Sequence, residues 1–267
     1  MAEAIVLENL DKYYPPAVSG WRALARPFAG LTEASLLGIS FSVGAGEVMA
    51  LVGANGAGKS TLLRILATLL LPTRGHASVA GFDVVRNPAG VRRQLGFHTG
   101  GDGGFYPRLS ASENLRFFAA LNNMTSAAAT ERIARVTELL GLGEALHRQV
   151  RTLSTGTVHR LGLARSILHG PAVLLLDEPT RSLDPMAAAE FRNFLRDDLV
   201  GRHGTTLLFA SHTLTEVEQL ATRVAILDAG RLLACDAPAA LLRSTATTTF
   251  EQALFKLTGR TLQKAPA

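Results

Sequence analysis

The nine residues Gly53-Ala-Asn-Gly-Ala-Gly-Lys-Ser-Thr61 constrain this chain more than any other stretch. They follow Glu47-Val-Met-Ala-Leu-Val52, an almost unbroken apolar run of the kind required of a parallel strand buried on both faces. They precede Leu62, Leu63, Leu66, Leu69 and Leu70 at helical spacing, with Pro72 as the expected stop. Strand, glycine-rich turn and helix together match G-x-x-x-x-G-K-[ST], a loop whose backbone N–H groups turn onto one anion at a helix N-terminus. Gly53, Asn55, Gly56, Ala57 and Gly58 form that cradle, Lys59 supplies a full positive charge to the terminal phosphates, and Ser60, followed by Thr61, offers a hydroxyl to Mg²⁺. The bland alternative is a glycine-rich turn carrying a surface lysine.

A second buried-strand pattern, Pro171-Ala-Val-Leu-Leu-Leu176, runs into Asp177-Glu178-Pro179-Thr180. Two acids at the carboxyl end of such a strand lie where open α/β sheets place ligands, and they are costly there without a cation. Asp177 is suited to hold Mg²⁺ through water and Glu178 to polarise the water that attacks a γ-phosphate. A third run, Thr206-Leu-Leu-Phe-Ala210, delivers Ser211-His212 to the same edge. His212 is placed to donate to the γ-phosphate or to hold the water and Glu178 in register. Read without this context, the acids would cap the next helix and the histidine would be a structural residue.

The 267 residues suffice for one large α/β domain with a small subdomain, and no stretch reaches the 18 apolar residues needed to cross a bilayer. Cys235 is the single cysteine, so no disulfide framework exists within the chain. The start, Met1-Ala-Glu-Ala-Ile, lacks the basic flank and apolar core of a secretion signal, and a cytoplasmic location is expected. Lys plus Arg exceed Asp plus Glu by 27 − 22 = 5, scattered without a block. That balance suits a nucleotide site at a membrane surface and argues against a dedicated nucleic-acid stripe.

With these elements in place the chain resembles the nucleotide-binding subunit of ATP-binding cassette (ABC) transporters, from about Ile5 to Arg260. Leu153-Ser-Thr-Gly-Thr-Val-His-Arg160, some way ahead of the acidic pair, is similar to the family's signature segment and its helix. The resemblance implies an α/β fold of the P-loop NTPase kind, with a RecA-like parallel core, an antiparallel β subdomain and a helical subdomain over about 91–168. An ATP-binding domain over 1–240 and a short C-terminal extension over 241–267 follow from it. It implies ATP and Mg²⁺ as ligands, and a head-to-tail pair in which Ser154 and Gly156 of one copy close over the ATP of another. Tyr14 matches the aromatic residue that stacks on adenine. Phe105, Tyr106 and Pro107 fall where a permease would dock. The tail from Thr249 to Arg260 resembles that of drug-resistance and sodium-extrusion exporter ATPases. The expected partners are an integral membrane permease and a second identical or sibling ATPase, at the cytoplasmic face of the membrane, with no nucleic acid. A soluble ABC ATPase acting on ribosomes or DNA, and a weakly hydrolysing partner subunit, are the competing readings.

The chain departs from the family pattern at three places. Gly100 stands where the family carries a glutamine, with Asp102 or His98 as candidates to move in. Thr155 and Thr157 replace glycine and glutamine in the signature, and Arg181 replaces a serine after the acidic pair. Between Tyr14 and Ala34, Trp21, Leu24, Phe28 and Leu31 recur at nearly helical spacing, which suits a short helix on lipid or permease, or equally a loop folded on its own domain.

Overall fold

A computed structural model describes residues 2–14, 33–99, 104–181 and 183–259. The segment holding Trp21, Leu24, Phe28 and Leu31, the loop residues Gly100 and Asp102, and Arg260 lie outside the described residues. The apolar runs fold into a six-stranded sheet of order β10-β9-β3-β8-β7-β6. Its strands are β3 (Val48–Val52), β6 (Leu95–Thr99), β7 (Val173–Asp177), β8 (Thr206–Ala210), β9 (Arg223–Asp228) and β10 (Arg231–Asp236). Neighbours from β6 through β9 are parallel, and β10 pairs antiparallel with β9.

Alternation along these strands divides their residues between two cores. Ala50, Val52, Leu174, Leu176, Leu207 and Phe209 face one core. Met49, Leu51, Val173, Leu175, Leu208 and Ala210 face the other. Both faces are covered, so the runs are continuously apolar, as a parallel sheet demands. The second face packs on α1 (Lys59–Leu66) and on an antiparallel sheet of β1 (Glu3–Tyr14), β2 (Glu33–Gly44), β4 (Arg74–Val79) and β5 (Phe82–Asp83), in the order β2-β1-β4-β5.

Helix α1 stops at Leu66, well before Pro72, because Thr68 takes a left-handed φ of 59° that no helix continues through. Leu69, expected on its apolar stripe, is therefore 66% exposed. After α2 (Pro88–Gln94), residues 95–99 are the edge strand β6, paired with β7, so the helical unit expected from Val91 begins after Thr99. That unit contains α3 (Ala111–Leu121), α4 (Ser126–Leu139) and α5 (Thr155–Ile167). Each start is written in the sequence. Ser110 and Glu113 close a capping box on α3, Thr125 caps α4 and Ser154 caps α5.

Asp184 caps α6 (Pro185–Asn193), which begins with proline and winds on in wider π-type turns through Phe194–Arg202. After β8 come α7 (Leu214–Leu220), then α8 (Pro238–Thr245) and α9 (Phe250–Thr258). Helix α9 packs on the body of the molecule, since Phe250 is buried in the first core. No helix among the described residues is long and apolar enough to cross a membrane.

Candidate active site

The register aligns the carboxyl ends of the central strands. Leu51 and Asp177 both lie beside Ala210, and Thr99 lies beside Asp177. Everything following those residues emerges at one edge, where the glycine loop turns from β3 into α1. Two of its glycines are sterically required. Gly58 holds φ of 102°, and a Cβ on Gly53 would come within 2.2 Å of the Leu227 carbonyl. Asn55 and Gly56 are exposed at the mouth of the loop, and Ala57 is buried beneath it. Thr61 faces the antiparallel sheet, its hydroxyl accepting from Ser35 Oγ at 3.0 Å.

Lys59, 6% exposed, donates from Nζ to the carbonyls of Gly53 (2.7 Å) and Ala54 (3.0 Å), so the cation is held inside its own loop. Burial lowers its pKa, and the negative charges of Glu178 and Asp177 partly offset that. Ser60 Oγ, in the first turn of α1, donates to Asp177 Oδ1 at 3.1 Å. One hydroxyl and one carboxylate meeting at the phosphate loop fit Mg²⁺, which keeps most of its waters and takes few protein oxygens.

Glu178 turns back over the sheet edge in a left-handed conformation, φ 50°, anchored by its N–H to the Ala210 carbonyl at 2.9 Å. A non-glycine residue there carries about 1–2 kcal/mol of strain, of the sort found at working sites. The strain aims the carboxylate at an imidazole and a guanidinium. Oε1 lies 3.2 Å from His212 Nδ1, and Oε2 lies 3.3 Å from Arg181.

Lys59, Ser60, Asp177, Glu178 and His212 thus converge as the sequence predicts. Tyr14 ends β1 opposite Glu33, two residues from Ser35, with Lys12 Nζ 5.1 Å from its ring centroid. Ser154 and Gly156 lie elsewhere. They line a separate cleft of about 750 Å³ with Thr157, Arg160 and Asp184, Ser154 capping α5 and Gly156 facing open space. His98 does not replace the missing glutamine. It is fully buried in β6, on the face toward α5, with its ring against His159.

Two contributors escaped the sequence reading. Arg181 was visible as a departure, but not as the second partner of the Glu178 carboxylate. Glu216, only 1% exposed, accepts from Ser211 Oγ at 2.5 Å, and Ser211 Oγ accepts from the Thr213 N–H at 3.0 Å. Burial pushes the Glu216 pKa up, and Thr180 lies close enough to lower it slightly, so one buried carboxyl sits between the turns that carry His212 and Glu178. The only local signal is Thr213-x-x-Glu216, which reads as a capping box, yet Thr213 makes no side-chain cap.

An anion cradle with an acidic pair and a histidine at the carboxyl edge of a parallel sheet is the working edge of a P-loop nucleoside triphosphatase. A family model described as ABC transporter matches residues 36–181. NatA of Bacillus subtilis, an ABC transporter ATP-binding protein, is 36% identical over 73% of this chain and 78% of its own length. The daunorubicin/doxorubicin resistance ATP-binding protein DrrA of Streptomyces peucetius is 42% identical over 74% of this chain, and the match spans only 59% of DrrA. Among solved structures, CbiO1 of Clostridium perfringens, part of the ABC transporter complex cbiONQ, superposes with a TM-score of 0.77 at 23% identity, covering 91% of this chain and 92% of that one. This chain belongs to the ABC transporter family as an ATP-binding component, and is an ATPase of that class.

Proposed function

We propose that this chain is the ATP-hydrolysing subunit of an exporter, driving a separate membrane permease through ATP-dependent pairing of two cassettes. The observation that carries the reading is the convergence of Lys59, the Ser60–Asp177 pair and the Glu178–His212 pair at one sheet edge. In this mechanism the loop N–H groups and Lys59 bind the β- and γ-phosphates. Ser60 and Asp177 hold Mg²⁺, which supplies charge neutralisation at the phosphates when bound. Glu178 orients the attacking water and accepts its proton, and His212 holds Glu178 while donating to the γ-phosphate. Tyr14 stacks on adenine.

The open cleft at Ser154 and Gly156 supports a paired enzyme, because it presents the signature away from the chain's own phosphate loop. Pairing with an identical copy or a sibling then completes two sites, with ATP as the glue. On the helical unit, Tyr106 is exposed and packs edge-to-face with Phe117 at 5.0 Å, an apolar landing place for a permease at the cytoplasmic membrane face. Relatives named for drug resistance and NatA favour export.

Phosphate release from Mg-ATP by the purified chain is the first test. Glu178→Gln is expected to lower turnover by at least about a hundredfold while ATP is still retained. Recovery with an integral membrane protein supports the transporter assignment, and recovery with ribosomes or DNA would replace it.

A further inference from the structure

Two histidines that the nucleotide chemistry does not use meet in the protein interior. His98 Nε2 and His159 Nε2 lie 3.2 Å apart, with ring centroids at 4.7 Å and planes at 85°. Both rings are buried. The room is made by Gly162 of α5, where a Cβ would come 2.8 Å from His98 Cε1. Phe191 of α6 packs on the outer side of His159, and the His159 ring also lies against the Pro179 carbonyl. Burial, then His159 and Arg165, push the His98 pKa down to about 3, and burial lowers that of His159. Both are therefore neutral at pH 7.

A contact between two Nε2 atoms of neutral imidazoles needs one proton between them, so the rings must be opposite tautomers. Neither His98 Nδ1 nor His159 Nδ1 has a hydrogen-bond partner among the described residues, and the Pro179 carbonyl lies beside the His159 ring. A proton on Nδ1 of His159 therefore has an oxygen to turn toward, whereas a proton on Nδ1 of His98 would be a buried orphan donor. The proton therefore sits on His98 Nε2, which donates to His159 Nε2. His159 then carries its own proton on Nδ1, on the ring that lies against the Pro179 carbonyl.

We propose that His98 and His159 form a single directed hydrogen bond that locks the signature helix α5 onto the catalytic strands, making both of them positioning residues for ATP hydrolysis. Each end of the link is at the chemistry. His98 lies beside Leu176, one residue before Asp177, and Pro179 follows Glu178. His159 lies five residues after the cap Ser154 on α5. Rotation of α5 as a second cassette closes on the signature is thereby transmitted to the carboxylate edge. The inference rests on the ATPase reading above.

Long-range ¹H–¹⁵N correlation on histidine-labelled protein at pH 7 tests the pair itself. The expected result is a proton on Nε2 of His98 and on Nδ1 of His159, and the same tautomer on both rings, or a charged ring, would overturn it. Steady-state ATP hydrolysis tests the positioning role. His98→Leu and His159→Leu are each expected to lower kcat by about tenfold at unchanged KM, the size of one lost hydrogen bond. His159→Gln, which can still accept from His98, should regain most of that, and the double Leu variant should lose no more than either single one. A Gln variant as slow as the Leu variant, or kcat unchanged in both Leu variants, rejects the proposal. If the wild-type chain itself shows no turnover, the catalytic reading fails on that measurement, and the spectrum still decides the histidine pair.

Discussion

Glu178 is held from two sides, and the two contacts differ in what they do. His212 reaches Oε1 from the turn after β8, and in the proposed mechanism it belongs to the reacting set. Arg181 reaches Oε2 with a side chain that is 72% exposed, so its ion pair adds at most about 1 kcal/mol of stability. Its effect is on access to the carboxylate. Arg181→Ser is expected to leave Tm unchanged and to raise kcat by up to about fivefold, since about 1 kcal/mol on a barrier is a factor of that size. A lower kcat in the same assay would instead make the guanidinium part of the machinery. Lys59→Ala removes the buried cation and is expected to abolish ATP retention, read by equilibrium binding in Mg²⁺. The placement of Lys59, Ser60 and Asp177 at one edge was legible because each lies within a few residues of its strand end. The partner of Arg181 was not, because a charge three residues beyond Glu178 meets it only through the left-handed turn at that residue.

At the scale of elements, α5 joins the two parts of the molecule. It packs on β6 and on the helices α3 and α4, and its N-terminal turn carries the signature. Glycine in a helix interior normally costs about 0.5–1 kcal/mol relative to alanine. At Gly162 the sign reverses, because the added methyl meets the His98 ring. Gly162→Ala is therefore expected to destabilise by about 1–3 kcal/mol and to lower Tm by several degrees in a thermal melt. A rise in Tm would remove the steric account of this glycine. The starts of α3, α4 and α5 are local, since each cap lies within a turn of the N–H it satisfies. The boundary of the helical unit was not legible, since β6 carries too little periodicity over five residues to be told from a helix, and only its pairing with β7 places it in the sheet.

For the whole molecule, the buried titratable groups set the pH dependence of stability. His98, His159 and His169 are all depressed by burial, His98 to about 3. Below about pH 6.5 the unfolded chain takes up protons that the folded rings refuse, so stability is full above that value and is lost as the pH falls toward 3. Glu216 has the opposite sign. Its raised pKa means that the folded state holds a proton the unfolded chain has released, so its contribution declines as the pH rises above the ordinary glutamate range. Denaturant titrations between pH 8 and pH 4.5 are expected to show stability falling on acidification. Replacing His98 with Leu should flatten that slope, and Glu216→Gln should raise stability at pH 8 more than at pH 4.5. A slope untouched by His98→Leu would place the acid sensitivity elsewhere.

What the sequence by itself determined was local: the phosphate loop, the buried strands, the acids at their ends and the helix caps. These depend on neighbours in the chain and on periods of two or 3.6 residues. The tertiary structure alone decided which distant residues meet. The His98–His159 contact spans 61 positions and exists because α5 packs on β6, while the Ser60–Asp177 contact spans 117 and exists because the strand order places β3, β8 and β7 side by side. Strand order is set by burying two apolar faces at once, a global requirement that no window of sequence expresses.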